Sequence, residues 1–282
     1  MKTAHKIALA KLAYTGVHAA RAVVGRGDNA TVVRNGVKYA LDLSEGIDFA
    51  IYIGRYEPST TTALQKLVKP GMTVLDIGAN VGVHALLMGS LVGESGRVLA
   101  VEPTTFAIGK LRQSLALNPE FAKRVDTAQA FLGPKEATSA PVAVYSSWPL
   151  RGGAELHEKH LGQPMATDGV TSISVDALVA SKSMGHVDLV KIDVDGFECQ
   201  VLAGASEVME RDRPIFVMEV SPYVLEERGA SLDQFLRFFT SLGYVFFDER
   251  NFGPGAPELS VADIARLSRD GASINCVAMV IV

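Results

Sequence analysis

Apolar and polar positions alternate in two different ways along this chain, and the change of pattern divides it. Over residues 31–43, TVVRNGVKYALDL alternates around Asn35-Gly36, which predicts two short strands and a tight hairpin turn. Thr60–Val68 reads as a short helix ended by Lys69-Pro70-Gly71. Beyond residue 70 the strands become short continuous apolar runs: Val74–Ile77, Val98–Val101, Val125–Leu132, Val187–Ile192, Ile215–Val220, Tyr244–Phe247 and Cys276–Val282. Most are separated by helical stretches. Phe106–Asn118 places Ile108, Leu111 and Leu115 on one face, and Phe197–Met209 follows the fourth run. Ser231 and Gln234 have capping-box spacing ahead of Leu232, Phe235, Leu236, Phe239 and Leu242. A short helix is expected around Val261–Leu267. Apolar strands alternating with helices predict a mostly parallel α/β sheet covered on both faces.

This divides the chain into an N-terminal helix and cap over residues 1–69 and a core over 70–282. The core carries an insertion at about 133–186, rich in Gly, Pro and Ser, with strand-like pieces at Val142–Tyr145 and Thr171–Val175. Residues 1–26 hold Lys2, Lys6, Lys11, Arg21 and Arg26 and no acid, with apolar residues at roughly helical spacing. Lys11 and Arg21 interrupt any signal-peptide core. A basic amphipathic helix remains, docked on the domain or on a second subunit, or in weak contact with an anionic membrane surface. No apolar run is a membrane span; the longest, Ile77–Gly93, contains four glycines, Asn80 and His84. The expected location is therefore cytoplasmic.

Composition narrows the picture. Hydrophobic residues are 48% and charged residues 21%, ordinary globular usage, which excludes a disordered or low-complexity chain. The net charge of −4 argues against a general nucleic-acid binder. Cys199 and Cys276 are too few for a disulfide framework or a cysteine zinc cluster.

The candidate chemistry begins at Asp76-Ile77-Gly78-Ala79-Asn80-Val81-Gly82, a glycine turn between a strand and a helix. Glycines let the turn be tight and let a ligand approach the backbone. Glu102-Pro103 ends the next strand, where an acid accepts hydrogen bonds from a ribose diol. The spacing is not G-x-G-x-x-G, and Asp76 would repel a pyrophosphate. A ligand carrying an ammonium and a sulfonium, S-adenosylmethionine, suits it better than NAD. The alternatives are an NAD-dependent oxidoreductase or a binding module without catalysis.

Three blocks, VLDIGANVGVHALLMG, VLAVEPTTFAIGKLRQSLALN and VDLVKIDVDGFECQVLAGA, resemble the FkbM family of S-adenosylmethionine-dependent methyltransferases. The likeness covers roughly residues 39–249, and Asp195 stands where the family typically has Glu. The resemblance implies a class I Rossmann-like sheet of seven strands, the last antiparallel. It also implies methyl transfer to an oxygen, usually a hydroxyl of a sugar or related small molecule.

On this reading Asp76, Gly78, Ala79, Asn80, Gly82, Glu102 and Pro103 hold the donor, with Asp193 reaching the same centre. The resemblance puts Tyr56-Glu57 at the border of the donor pocket; a plain surface turn is the alternative. Phe131 either lies against the adenine ring or packs in the core. A hydroxyl acceptor needs a base or a metal ion. Asp193 and Glu219, at the ends of the fourth and fifth strands, are the catalytic candidates. They would act directly, or hold a divalent cation such as Mg²⁺, or merely pair with Lys191 and cap helices. Asp195 is a candidate helix cap. His84 is expected to be structural, and His157 and His160 lack zinc-protease spacing but could serve in a lid. Tyr145 and Trp148 are rings on which a sugar could stack. The acceptor is a small molecule or glycan, and homo-oligomerisation stays open.

Overall fold

A computed structural model describes residues 3–135, 139–145, 149–151, 162–167 and 169–281. Helix α1 (Thr3–Val23) is followed by β1 (Asn29–Arg34) and β2 (Val37–Asp42), an antiparallel hairpin. Its two-residue turn has positive φ at both Asn35 (50°) and Gly36 (79°), the type I′ geometry that matches strand twist. Tyr14 of α1 is buried, and its hydroxyl reaches Asp28 at 3.1 Å, where the His18 ring joins at 2.8 Å. The basic helix therefore docks on the segment that follows it, where Tyr14 meets Phe49 edge-on at 5.7 Å, with Leu9 and Leu12 exposed. No helix among the described residues is long and apolar enough to cross a membrane. Short helices α2 (Gly46–Tyr52) and α3 (Pro58–Leu67) complete this segment.

The main sheet is laid down next. Its elements are β3 (Thr73–Ile77), α4 (Val83–Leu91), β4 (Arg97–Val101), α5 (Thr105–Ala116), α6 (Pro119–Ala122) and β5 (Val125–Ala128). Four short strands follow: β6 (Phe131–Leu132), β7 (Ala143–Tyr145), β8 (Pro164–Ala166) and β9 (Ser172–Ile173). After α7 (Val175–Ser181) come β10 (Leu189–Ile192), α8 (Glu198–Ala203), α9 (Ser206–Asp212) and β11 (Ile215–Val220). The chain ends with α10 (Pro222–Glu227), α11 (Leu232–Thr240), β12 (Tyr244–Asp248), β13 (Glu258–Leu259), α12 (Val261–Leu267) and β14 (Ile274–Val280).

The sheet order is β13-β12-β14-β11-β10-β3-β4-β5, with β14 antiparallel to both its neighbours. Seven of these strands are those expected, with the last one antiparallel; β13 adds a two-residue eighth strand at the edge. Strand periodicity builds two cores. Leu75, Ile77, Leu99, Val101, Val190, Ile192, Phe216 and Met218 face one layer with Phe235 and Phe239 of α11. The intervening residues Val74, Val98, Ala100, Leu189 and Val217 face the other, with α4 and the N-terminal segment. This parity sets the chemistry, because Asp76, Lys191 and Glu219 fall on the second face.

Three expected elements differ. The run Val125–Leu132 is not one strand: β5 stops at Ala128, and β6 pairs with β9 outside the main sheet. The helix expected over Phe197–Met209 breaks into α8 and α9. Gly204 sits at the break, where any Cβ would collide with the Gly133 carbonyl and its own carbonyl accepts from Asp176 N–H. Within the expected insertion, α7 forms with Ser174 as its cap, accepting from the Ala177 N–H. Trp148, His157 and His160 lie outside the described residues.

Candidate active site

The glycine turn follows β3 directly. The N–H groups of Gly78 and Ala79 both donate to the Val101 carbonyl, at 3.0 and 2.9 Å, which ties the turn to the end of β4. Gly78, Asn80 and Gly82 all have positive φ. The two glycines serve different needs. A Cβ at Gly78 would strike the Asp193 carbonyl oxygen, so the turn and the loop after β10 touch backbone to backbone. A Cβ at Gly82 would enter the Leu111 side chain, so Gly82 serves the packing of α4 on α5.

Glu102 is held from three directions. Its Oε2 accepts the Asn80 N–H at 3.0 Å, and its Oε1 accepts the Thr104 N–H at 2.9 Å and hydroxyl at 2.6 Å. A carboxylate offers about four acceptor positions, so one remains for a ligand. Beside it opens a cleft of about 630 Å³ lined by Gly78, Asn80, Glu102, Pro103, Phe131 and Asp193, among others. Phe131 meets Phe197 edge-on at 5.1 Å, and the Arg228 guanidinium lies 4.3 Å over the Phe197 ring. Phe131 thus both packs and faces the cleft. Asp76, Ala79 and Gly82 lie behind its surface.

A second chamber of about 420 Å³ opens on the other side of Asp193, which lines both. It is walled by Glu57, Thr60, Lys191, Glu219, Glu249 and Asn275, with Asp193. Parallel pairing sets Lys191 opposite Asp76, and antiparallel pairing sets Glu219 opposite Asn275. The Lys191 ammonium is 3.5 Å from Asp193 Oδ2 and 3.8 Å from Asp76 Oδ1. Both Asp76 carboxylate oxygens are buried, with the Lys191 ammonium and the Ala85 N–H as their nearest donors. Glu57 closes the chamber from the N-terminal segment in a left-handed conformation, φ 35°, just before Pro58 opens α3. His84 packs on Tyr56, with ring centroids 5.8 Å apart, and its Nε2 lies 3.7 Å from Glu57.

The sequence profile of the Methyltransferase FkbM domain matches residues 76–246, which takes in the glycine turn, Glu102, Asp193 and Glu219. The chain belongs to the FkbM methyltransferase family. Among solved structures, the FkbM methyltransferase of Methylobacillus flagellatus matches 82% of this chain and 60% of its own, with 14% identity and a TM-score of 0.46. An S-adenosylmethionine-dependent O-methyltransferase of Thermotoga maritima matches over 93% of this chain and 82% of its own, at 15% identity and a TM-score of 0.43. A putative rRNA methylase of Clostridium thermocellum matches over 79% and 94%, at 17% identity and a TM-score of 0.44. No curated protein matches the chain by sequence.

In this FkbM-family chain the electrostatics of the two spaces differ. Burial, with Asp193 nearby, pushes the Asp76 carboxyl up to about 6, although Lys191 opposes it. Burial and then Asp193 push Glu219 up to about 7, and burial raises Glu249. Glu57, one third exposed, is raised by the same two causes. Burial pulls Lys191 down, but Asp193, Asp76 and Glu57 outweigh it and hold the ammonium above its ordinary value. Burial, with the Lys191 charge, holds His84 well below its usual range, so it stays neutral and structural.

Asp195 does not cap α8. It lies in a left-handed turn (φ 48°), and the cap position is Phe197, which makes no side-chain bond. Glu198 does the local holding instead, accepting the Val194 and Gly196 N–H groups at 3.2 and 3.3 Å. Among the described residues no group of three His, Cys, Asp or Glu is arranged to hold a metal ion. The position between Asp76 and Asp193 is served by the Lys191 ammonium. A divalent cation does not fit this set.

Sequence reasoning missed Thr60, Glu249 and Asn275. A signal existed for two of them. β12 runs parallel to β11, so Glu249 just past its end arrives at the same lip as Glu219. β14 runs the opposite way, so Asn275 near its start arrives there too. Thr60 gives no such signal, because it comes from the N-terminal segment.

Proposed function

We propose that this chain transfers a methyl group from S-adenosylmethionine to a hydroxyl of a sugar, glycan or related small molecule. One observation carries the reading: Asp193 lines both the glycine-turn cleft and the acid-walled chamber, so it stands where two bound molecules would meet. The donor fits the residues present. Asp76 lies behind the cleft surface beside Lys191, and its buried carboxyl adds to the negative potential that suits a cationic donor. Glu102 has one acceptor position left for a ribose hydroxyl, and Phe131 and Phe197 offer an aromatic wall for a purine. Bound there, the donor supplies an electrophilic sulfonium methyl group.

The chain's own residues then do three things. The cleft and chamber fix the approach of acceptor oxygen to methyl carbon, the main requirement for this reaction. Asp193 takes the proton that leaves the acceptor hydroxyl, and Lys191 keeps its carboxylate in place. Glu219 orients the acceptor from the far wall of the chamber. The net charge of −4 and the acid-walled chamber favour a neutral or cationic acceptor over the phosphates of a nucleic acid.

The test is incubation with methyl-labelled donor and a fractionated cell extract, with and without a chelator. Label is expected in a glycan or small-molecule fraction, undiminished by the chelator and lost in Asp193→Asn. Label confined to nucleic acid, or calorimetry showing binding of NAD but not of S-adenosylhomocysteine, would overturn the reading.

A further inference from the structure

Glu249 is the best-oriented group of the chamber, and methyl transfer as described gives it no task. It is only 3% exposed. Its Oε1 accepts the Thr60 hydroxyl at 3.0 Å and the Asn275 amide at 3.4 Å, and Asn275 also reaches Thr60 at 3.3 Å. The Ser59 hydroxyl is a further partner of this carboxyl, and Oε2 is buried without a hydrogen bond of full geometry. Buried acceptors are nearly always satisfied, so an oriented carboxylate with an under-satisfied oxygen on a cavity wall leaves room for one more donor.

The charges around it say what kind of donor. The chamber is walled by four carboxylates, Glu57, Asp193, Glu219 and Glu249, and by one cation, Lys191. That lysine is already shared with Asp76 on the cleft side. The positive groups of the methyl donor belong to the cleft, beyond Asp193. A neutral hydroxyl brings one O–H donor and no charge, whereas an ammonium brings three donors and a positive charge. The same arrangement does not suit a metal ion, as the grouping of the described residues shows.

We propose that this chamber is an acceptor subsite for a hydroxylated amine, of the amino-sugar class, whose ammonium group is received by Glu249 while the neighbouring hydroxyl faces Asp193. This rests on the methyltransferase reading for the role of Asp193, but the charge preference of the chamber can be measured without it.

The probes are ethanolamine and ethylene glycol, two molecules of equal heavy-atom count that differ in one ammonium. Each is titrated into the full chain by NMR, with and without saturating S-adenosylhomocysteine. Wild type is expected to bind ethanolamine at least tenfold tighter than ethylene glycol. Glu249→Gln, which keeps size and the Oε1 acceptor, is expected to cut that preference at least fivefold while S-adenosylhomocysteine affinity changes less than twofold. Thr60→Ala, which unties Oε1, is expected to cut it less. Equal binding of the two probes, or a preference unchanged in Glu249→Gln, would overturn the subsite. Failure to bind S-adenosylhomocysteine with the probe preference intact would instead remove the methyltransferase reading and leave the cation subsite standing.

Discussion

The two spaces on either side of Asp193 are built on opposite principles. In the glycine-turn cleft the acid is satisfied by the protein: Glu102 takes two backbone N–H groups and a hydroxyl, and the turn itself is tied to β4. In the chamber four acids face one another; Thr60 and Asn275 hold Glu249, and Lys191 is the cation of the lining. The first space is shaped by hydrogen bonds within the protein. The second brings several carboxyl groups close together. The comparison teaches that a nucleoside can be recognised by a fixed backbone shape. On the proposed reading, the acceptor is met by side chains brought in from separate elements.

The largest expected effect joins both spaces. Gly78→Ala forces a Cβ into the Asp193 backbone at a left-handed residue, so it should misplace the turn and the Asp193 loop together. Stability should fall by more than about 4 kcal/mol, or donor binding should be lost in whatever folds, as denaturation and calorimetry would show. A variant with unchanged affinity for S-adenosylhomocysteine would break the claim that the two loops touch.

Lys191→Met comes next. It leaves Asp76 and Asp193 without their cation, at a residue 5% exposed. Unfolding free energy should drop by about 3 kcal/mol, less if the carboxyls take up protons. Lowering the pH should therefore rescue part of the loss.

Glu102→Gln sharpens the comparison from the cleft side. It keeps the shape but loses charge-assisted bonds to Asn80 and Thr104. The donor KM should rise about tenfold with kcat little changed. A kcat effect of that size instead would place Glu102 in the chemistry.

The smallest expected effect is the pH dependence of the ligand-free protein. Asp76 is raised to about 6 and Glu198 and Glu219 to about 7, mainly by burial. A carboxyl raised in the folded state holds more protons there than in the unfolded chain. Stability is therefore highest below the unfolded values and falls as pH rises from about 4.5 to about 7. Donor affinity should run the other way and increase over the same window, since ionised carboxylates bind a cation better. Thermal melts with and without donor across that range would read both slopes, and a flat ligand-free profile would contradict the raising of these carboxyls by burial.

The sheet and the cleft were largely legible in the sequence because both depend on short-range order. Continuous apolar runs marked the strands, and the glycine turn and Glu102 marked the strand ends where the cleft opens. The capping box at Ser231 formed as its spacing requires. Legibility failed where a distant contact decided. β5 ends early because Phe131 and Leu132 pair with β9, and one expected helix breaks where Gly204 meets Gly133. The chamber was harder still: Glu57, Thr60, Glu219, Glu249 and Asn275 come from four separate stretches across more than two hundred residues, and no local motif unites them.

The account turns on Asp193 as the partition between donor cleft and acceptor chamber. A crystal structure with S-adenosylhomocysteine tests this most directly. The account predicts the nucleoside between Glu102 and Phe131, the sulfur on the Asp193 side, and the chamber of Glu219 and Glu249 left free. Density for the ligand inside that chamber, with the glycine-turn cleft empty, would contradict it.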